Sequence, residues 1–379
     1  MSASQIPNLN TLRGPRLRGR GRGGGRGVPT GSSDQHSGDQ VVQHTDQDAT
    51  VSRLSAVELG YISDPFVKLF VAEGAQRRFP IINRGSYVRT SAIDVLVDRF
   101  LRTDLSRPKQ LISLGAGSDT RYFRLATAYP QTPLLYHELD FSTNTKQKIA
   151  TIKGSDLLRS LVAQAHDDDS AVQISEDGTA LHSKSYHVHP IDLRTLRPQY
   201  EGSTPPPSLP GVDPHLPTLL LSECCLIYLP PVSADAVLKY FTEYIFPRTT
   251  PLSLILYEPI NPSDSFGRVM VSNLAARGIV LQTLKRYSSL ALQKERLRVM
   301  GFTSGQAAAD VDFLWEKWIP EEEKERISQL EMLDELEEWT MLARHYCVAW
   351  GWRDGEEADT QSAFNGWKSL DVRRTEALV

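Results

Sequence analysis

Five short apolar runs restrict this chain to an open α/β sheet. They are QLISL (Gln110–Leu114), LLYHELD (Leu134–Asp140), SYHVHPIDL (Ser185–Leu193), TLLLSECCLIYL (Thr218–Leu229) and LSLILYEP (Leu252–Pro259). Runs apolar on both faces belong inside a sheet covered on both sides, and parallel neighbours need crossover connections of a dozen residues or more. Helical stretches such as Ser233–Tyr244 lie between the runs. Strands alternating with helices predict a mostly parallel, doubly wound sheet. HYCVAW (His345–Trp350) reads as a last buried strand.

The 379 residues divide unevenly around this sheet. Residues 1–50 hold six arginines, all between Arg13 and Arg26, against four aspartates, for a net charge of +2. No aromatic residue occurs there, and such a segment cannot bury enough apolar surface to offset its ordering entropy. We expect a disordered Arg/Gly-rich leader over 1–50, a solvated tail whose alternative role is RNA contact, and we expect its removal to leave the chemistry intact. Residues 51–352 form the α/β domain. Two helical stretches, Arg53–Phe70 and Ser86–Leu101, precede any strand and predict a helical cap over 51–105. Gln164–Lys184, with three consecutive aspartates, and the proline-rich Glu201–Pro217 read as surface insertions. Pro320–Arg344 carries a helical stripe of Met332, Leu336, Trp339 and Ala343, continued by Tyr346, and expected to face the core. Its acidic face is read as solvated, or else as a partner surface. Residues 353–379 read as a polar tail.

No run approaches the ~20 apolar residues of a bilayer span, and the first thirty residues lack a signal-peptide core. Cys224 and Cys225 are adjacent and Cys347 is distant, so neither a disulfide framework nor a metal-ligand spacing is present. A reduced, cytoplasmic compartment and no metal fit this pattern.

The sharpest local feature is LISLGAGSDTRYFRL (Leu111–Leu125), a buried strand turning through Gly115 and Gly117 into a helix. Such a turn exposes backbone N–H groups and permits close approach of a ligand. The next strand ends in Glu138 and Asp140, where an acid can hold a ribose diol. Thr120 stands where a third glycine of a dinucleotide fingerprint would be, which disfavours a pyrophosphate. A nucleoside without a diphosphate suits the pattern, S-adenosylmethionine being the common example. Asp192 closes the third run, and Glu223 lies within apolar surroundings in the fourth, where a carboxylate needs cationic partners or a cationic ligand.

LISLGAGSDTRYFRL, YHELDF, SECCLIYL, YEPINPSDSFGRVM, QKERLRVMGF and LEMLDELEEWTMLARHYCVAW follow one another in the order found in the leucine carboxyl methyltransferase family, which the chain resembles from Arg53 to about Trp352. The resemblance implies a Rossmann-like S-adenosylmethionine-dependent methyltransferase. It implies methyl transfer to the α-carboxylate of a C-terminal leucine, the substrate being the type 2A protein phosphatase catalytic subunit. Residue by residue, it assigns Arg89 to the methionine carboxylate, Gly115 to the cofactor turn and Asp140 to the ribose. Asp192 and Leu193 fall beside adenine, and Glu223 faces the methionine amino group. Arg53 stands where the family usually has lysine. Arg89 and Tyr228 are our candidates for orienting the substrate carboxylate. Two other readings are a carboxyl methyltransferase of a modified transfer-RNA base and an inactive phosphatase-binding protein. The first would need the long C-terminal repeat region of that branch, and the acidic body disfavours nucleic acid as a partner. We expect a monomer with no membrane partner.

Overall fold

The computed structural model describes residues 33–71, 76–163, 172–198, 205–356 and 362–371. The Arg/Gly-rich segment between Arg13 and Arg26 lies outside them.

The five apolar runs form strands β1 (Lys109–Leu114), β2 (Leu134–Asp140), β5 (Tyr186–Pro190), β6 (Thr218–Glu223) and β7 (Leu252–Pro259). All five run parallel to one another, in the spatial order β5-β2-β1-β6-β7. The order reverses between β1 and β6, as a doubly wound fold requires. Two further strands, β8 (Gly305–Asp310) and β9 (Tyr346–Arg353), extend the sheet, with β9 antiparallel to both β7 and β8. At the other edge the segment expected as a surface insertion supplies a short antiparallel hairpin, β3 (Gln173–Ile174) and β4 (Leu181–His182).

Alternate residues of the central strands feed two cores. Leu111, Leu219, Leu221 and Ile255 pack on one face, while Ile112, Leu114, Leu220 and Leu254 pack on the other. The first face is covered by α2 (Pro80–Arg102), α3 (Arg121–Ala128), α5 (Asp156–Ala163) and α9 (Val311–Trp318). The second is covered by α6 (Pro231–Lys239), with its π-helical continuation Tyr240–Ile245, and by α8 (Leu290–Val299). Val88, Ile93, Leu96 and Phe100 of α2 are fully buried, so this helix is a layer of the domain rather than a detachable cap.

Four expectations are corrected. The leader does not stay unstructured to residue 50: α1 runs over Ser33–Glu58. It is held by tertiary ion pairs that composition cannot reveal, described below. The expected helix Arg53–Phe70 is accordingly only the last turns of α1, a turn at Gly60 (φ 83°) and a short 3-10 helix, Val67–Phe70. The polar tail also docks in part: Phe364 stacks on Phe100 with ring centroids 5.4 Å apart, and Trp367 Nε1 donates to the Leu96 carbonyl at 2.9 Å. Ala363, Phe364 and Trp367 are the buried apolar anchors of this otherwise polar stretch.

Finally, the helical stripe is broken into α10 (Glu321–Ser328) and α11 (Leu336–Ala343). Glu331, between them, accepts from Asn83 Nδ2 at 2.8 Å and from Arg77, which draws this segment onto α2. Trp339 and Ala343 are buried as expected, but Met332 and Leu336 are exposed.

Candidate functional site

Ligands of open α/β sheets bind beyond the carboxyl ends of the strands where the strand order reverses. Here that point lies beyond β1 and β6, and it opens into a cavity of about 920 Å³. Arg53, Arg89, Gly115, Asp140, Asp192, Leu193, Glu223 and Tyr228 all line it. The fold thus brings together every site residue read from the sequence.

The glycine turn is built differently from its first reading. Gly115 and Gly117 have φ of 66° and 46°, a region that favours glycine. A Cβ on Gly115 would meet Cys225 Sγ at 2.4 Å, and one on Gly117 would meet Asp46 Oδ1 at 2.1 Å. The close approach that the glycines permit is therefore made by the chain itself. Gly117 N donates to Asp140 Oδ2 at 2.7 Å, and Ser118 N and Oγ donate to the two oxygens of Asp46 at 2.8 and 2.7 Å. Carboxylates occupy the donors that would otherwise hold a phosphate, which fits a nucleoside lacking one.

Asp140 ends β2 and also accepts from Phe141 N and Asn144 Nδ2. Burial pushes its pKa up to about 6, against the pull of the Gly117 and Phe141 N–H groups. Asp192 lies two residues beyond β5 and caps a short 3-10 turn, accepting from Arg194 N at 3.0 Å. Both of its oxygens are engaged by the Arg194 guanidinium. Leu193 is buried beside it.

Glu223 ends β6. The chain then turns sharply at Cys224, a non-glycine residue at φ 48°, into a 3-10 turn over Leu226–Tyr228. Such backbone strain at a strand end is a mark of functional sites. Arg89 Nε donates to Glu223 Oε2 at 2.7 Å, and Arg121 Nη1 to Oε1 at 2.8 Å. Burial favours protonation of this carboxyl, but the two guanidiniums overcome it and hold the group below the usual carboxylate range. The Arg89 guanidinium also lies over the Tyr257 ring, 4.8 Å from its centroid. Arg53 Nε pairs with Asp64 at 2.7 Å, while its Nη2 is buried without a partner, a cationic donor suited to a ligand carboxylate. Tyr228 is half-buried at the cavity wall, so it is not a sealed core tyrosine.

Helix α1 is the part that sequence reasoning missed. Besides Asp46 on the glycine turn, Asp39 accepts from both terminal nitrogens of Arg194 at 2.9 and 2.7 Å, and Asp48 pairs with Arg277. The helix therefore spans the cavity from the Asp192 turn to the end of α7 (Ser265–Ala276). The available signal was the spacing: Asp39 and Asp46 are two helical turns apart and share a face.

A doubly wound sheet with a cavity at its switch point, and a glycine turn whose donors are taken by carboxylates, is the architecture of the Rossmann-like methyltransferase class. The comparisons with known proteins narrow this further. The model of the family described as leucine carboxyl methyltransferase matches residues 41–242. Leucine carboxyl methyltransferase 1 of Emericella nidulans is 56% identical over 393 residues, covering 99% of this chain and 100% of that protein. Its counterpart in Aspergillus fumigatus is 55% identical over 398 residues, covering 98% and 99%. Leucine carboxyl methyltransferase 1 of Rattus norvegicus is 34% identical over 319 residues, covering 84% and 92%. This chain belongs to the leucine carboxyl methyltransferase family.

Proposed function

We propose that the protein transfers the methyl group of S-adenosylmethionine to the α-carboxylate of a C-terminal leucine, forming a methyl ester, and that the leucine is that of the type 2A protein phosphatase catalytic subunit. The observation that carries this reading is the Glu223–Arg89 pair in the wall of the cavity, which Arg53 also lines. The site thus offers an acid for an ammonium and arginines for carboxylates. Asp140, Leu193 and the turn at Gly115 would hold the nucleoside part of the cofactor. When bound, the cofactor supplies a sulfonium-activated methyl group.

A terminal carboxyl has a pKa of about 3.3–3.7 and is ionised at neutral pH, so the chain needs no general base. Its residues have to align a weak oxyanion nucleophile and keep water away, and positioning alone can lower a barrier by roughly 7–11 kcal/mol. Arg89 and Tyr228 are placed to orient the carboxylate from the cavity wall. Residues of helix α1 line one side of the cavity, and attraction between opposite charges strengthens as a bound ligand displaces water from it.

Phe266, Met270 and Leu274 of α7, with Met341 and Leu342 of α11, give the cavity an apolar side suited to a leucine side chain. Each methylene is worth only about 1–3 kcal/mol of discrimination, so choice of one phosphatase requires contacts beyond the leucine.

The test is incubation with radiolabelled S-adenosylmethionine and the phosphatase catalytic subunit, with and without its terminal leucine. Base-labile label on the intact subunit alone is expected. Label on both forms, on neither, or stable to base would overturn the proposal.

A further inference from the structure

Glu223 is nearly buried, with 15% of its side chain exposed. A carboxylate so placed takes up a proton near neutral pH unless cations hold it. Two cations do so, and they differ in kind. Arg89, on α2, is 29% exposed and faces the cavity. Arg121, in the first turn of α3, is 1% exposed and stands behind the carboxylate.

Arg121 is itself fixed from below. Its Nη1 also donates to Asp119 Oδ2 at 2.9 Å, and its Nε to Asp94 Oδ1 at 3.3 Å. A ligand carboxylate that reaches Arg89 competes with Glu223 for that guanidinium, whereas nothing entering the cavity competes for Arg121. We propose that Arg121 is the positioning residue of this site: it holds Glu223 charged and aimed into the cavity while Arg89 turns to the ligand. The proposal rests on the reading of Glu223 as the acid that faces the cofactor's ammonium group.

The charged and titratable groups around the pair are few. Glu223 feels Arg89 from α2, Arg121 from α3 and Asp119 from the preceding turn, and it lies near the Cys224 thiol and the hydroxyls of Tyr136 of β2 and Tyr257 of β7. Arg121 feels Asp94 from α2, Asp119 and the Tyr136 hydroxyl of β2. Arg53, Arg124 and Lys148 surround Asp119. If Arg121 loses its charge, burial and Asp119 both drive Glu223 toward protonation, and Arg89 alone opposes them. A protonated Glu223 attracts no ammonium, so affinity should fall as pH falls.

The full-length protein is compared as wild type, Arg121→Gln and Arg121→Lys, with calorimetric titration of S-adenosylmethionine and of methylthioadenosine between about pH 7 and about pH 5.5. Methylthioadenosine keeps the nucleoside and lacks the amino acid, so the ratio of the two affinities isolates the amino-acid end. In the wild type this ratio should stay level. In Arg121→Gln it should fall by roughly tenfold per pH unit below the raised Glu223 pKa, and Arg121→Lys should restore the level ratio. A level ratio in Arg121→Gln, or a fall in Arg121→Lys equal to that in Arg121→Gln, overturns the proposal. If Arg121→Gln loses methylthioadenosine binding through misfolding, Arg121→Lys decides: a level ratio supports a charge role and a falling one refutes it. A wild type that binds S-adenosylmethionine no more tightly than methylthioadenosine refutes the Glu223 reading itself, and the proposal with it.

Discussion

Substituting Asp46 with alanine tests whether α1 belongs to the working site. The Asp46 carboxylate receives Ser118 N at 2.8 Å and Ser118 Oγ at 2.7 Å. A hydrogen bond to a charged group contributes about 1.5–3 kcal/mol net. Asp46 is half-buried, and water can replace part of this interaction. We therefore take about 1.5–3 kcal/mol for the pair of bonds together, which lowers the docked-to-undocked ratio of α1 by roughly 10–150-fold. Removal of Asp46 also relieves some of the charge crowding on Asp140, although burial remains the larger influence there. The net expectation for Asp46→Ala is weaker S-adenosylmethionine binding, with faster amide exchange over residues 39–50 and unchanged exchange in the central strands. Calorimetry and hydrogen–deuterium exchange read these two quantities. Unaltered affinity together with unaltered protection of α1 would refute the reasoning, and would revive the expectation that residues 1–50 are dispensable.

Further outcomes follow from other contacts. Glu223→Ala leaves Arg89 and Arg121 without their shared partner. It should abolish measurable S-adenosylmethionine binding and lower stability by about 3–5 kcal/mol in denaturant titration, as for other broken buried pairs. Arg89→Ala leaves Glu223 paired with Arg121, so it should lose binding at a smaller cost in stability; wild-type affinity would contradict its assigned contact. Asp140, pushed up to about 6 by burial, would accept a ligand hydroxyl as a carboxylate only above that pH. Methylthioadenosine affinity should hold above about pH 7 and decline as pH falls through 6, and Asp140→Asn should abolish that decline. Trp367→Ala removes a fully docked indole and should cost roughly 3–5 kcal/mol of stability with KM unchanged, measured by unfolding and steady-state kinetics.

The central architecture was legible because buried parallel strands must be apolar throughout, and LLYHELD and LSLILYEP match β2 and β7 to the residue. Strand β8 was not, because GQAAAD carries neither β-branched nor aromatic residues and is a strand only through its pairing with β9. The site residues at strand ends could be placed by counting along the runs, since register sends Asp140 and Glu223 to the same end of the sheet. Arg121 stood within the most prominent motif and still went unnoticed, because its three acidic partners are tertiary or depend on the exact turn. Asp39 and Asp46 were hidden by composition: a polar segment ordered by ion pairs to distant arginines looks the same as one that is not ordered.

The position of β9 bears on how the protein is made. The last strand among the described residues is not at an edge but lies between β7 and β8, paired with all eight residues of β7 from Leu252 to Pro259. Until Arg353 has left the ribosome, β7 presents an open apolar edge, the kind of surface on which nascent chains associate wrongly. The strands that bear the glycine turn, Asp140 and Glu223 are complete 130 residues earlier. A chain stopped short of residue 353 would therefore contain every strand that carries a proposed cofactor contact and still lack the piece that closes the sheet. Its fate would be set by chaperones and proteases rather than by any defect in its chemistry.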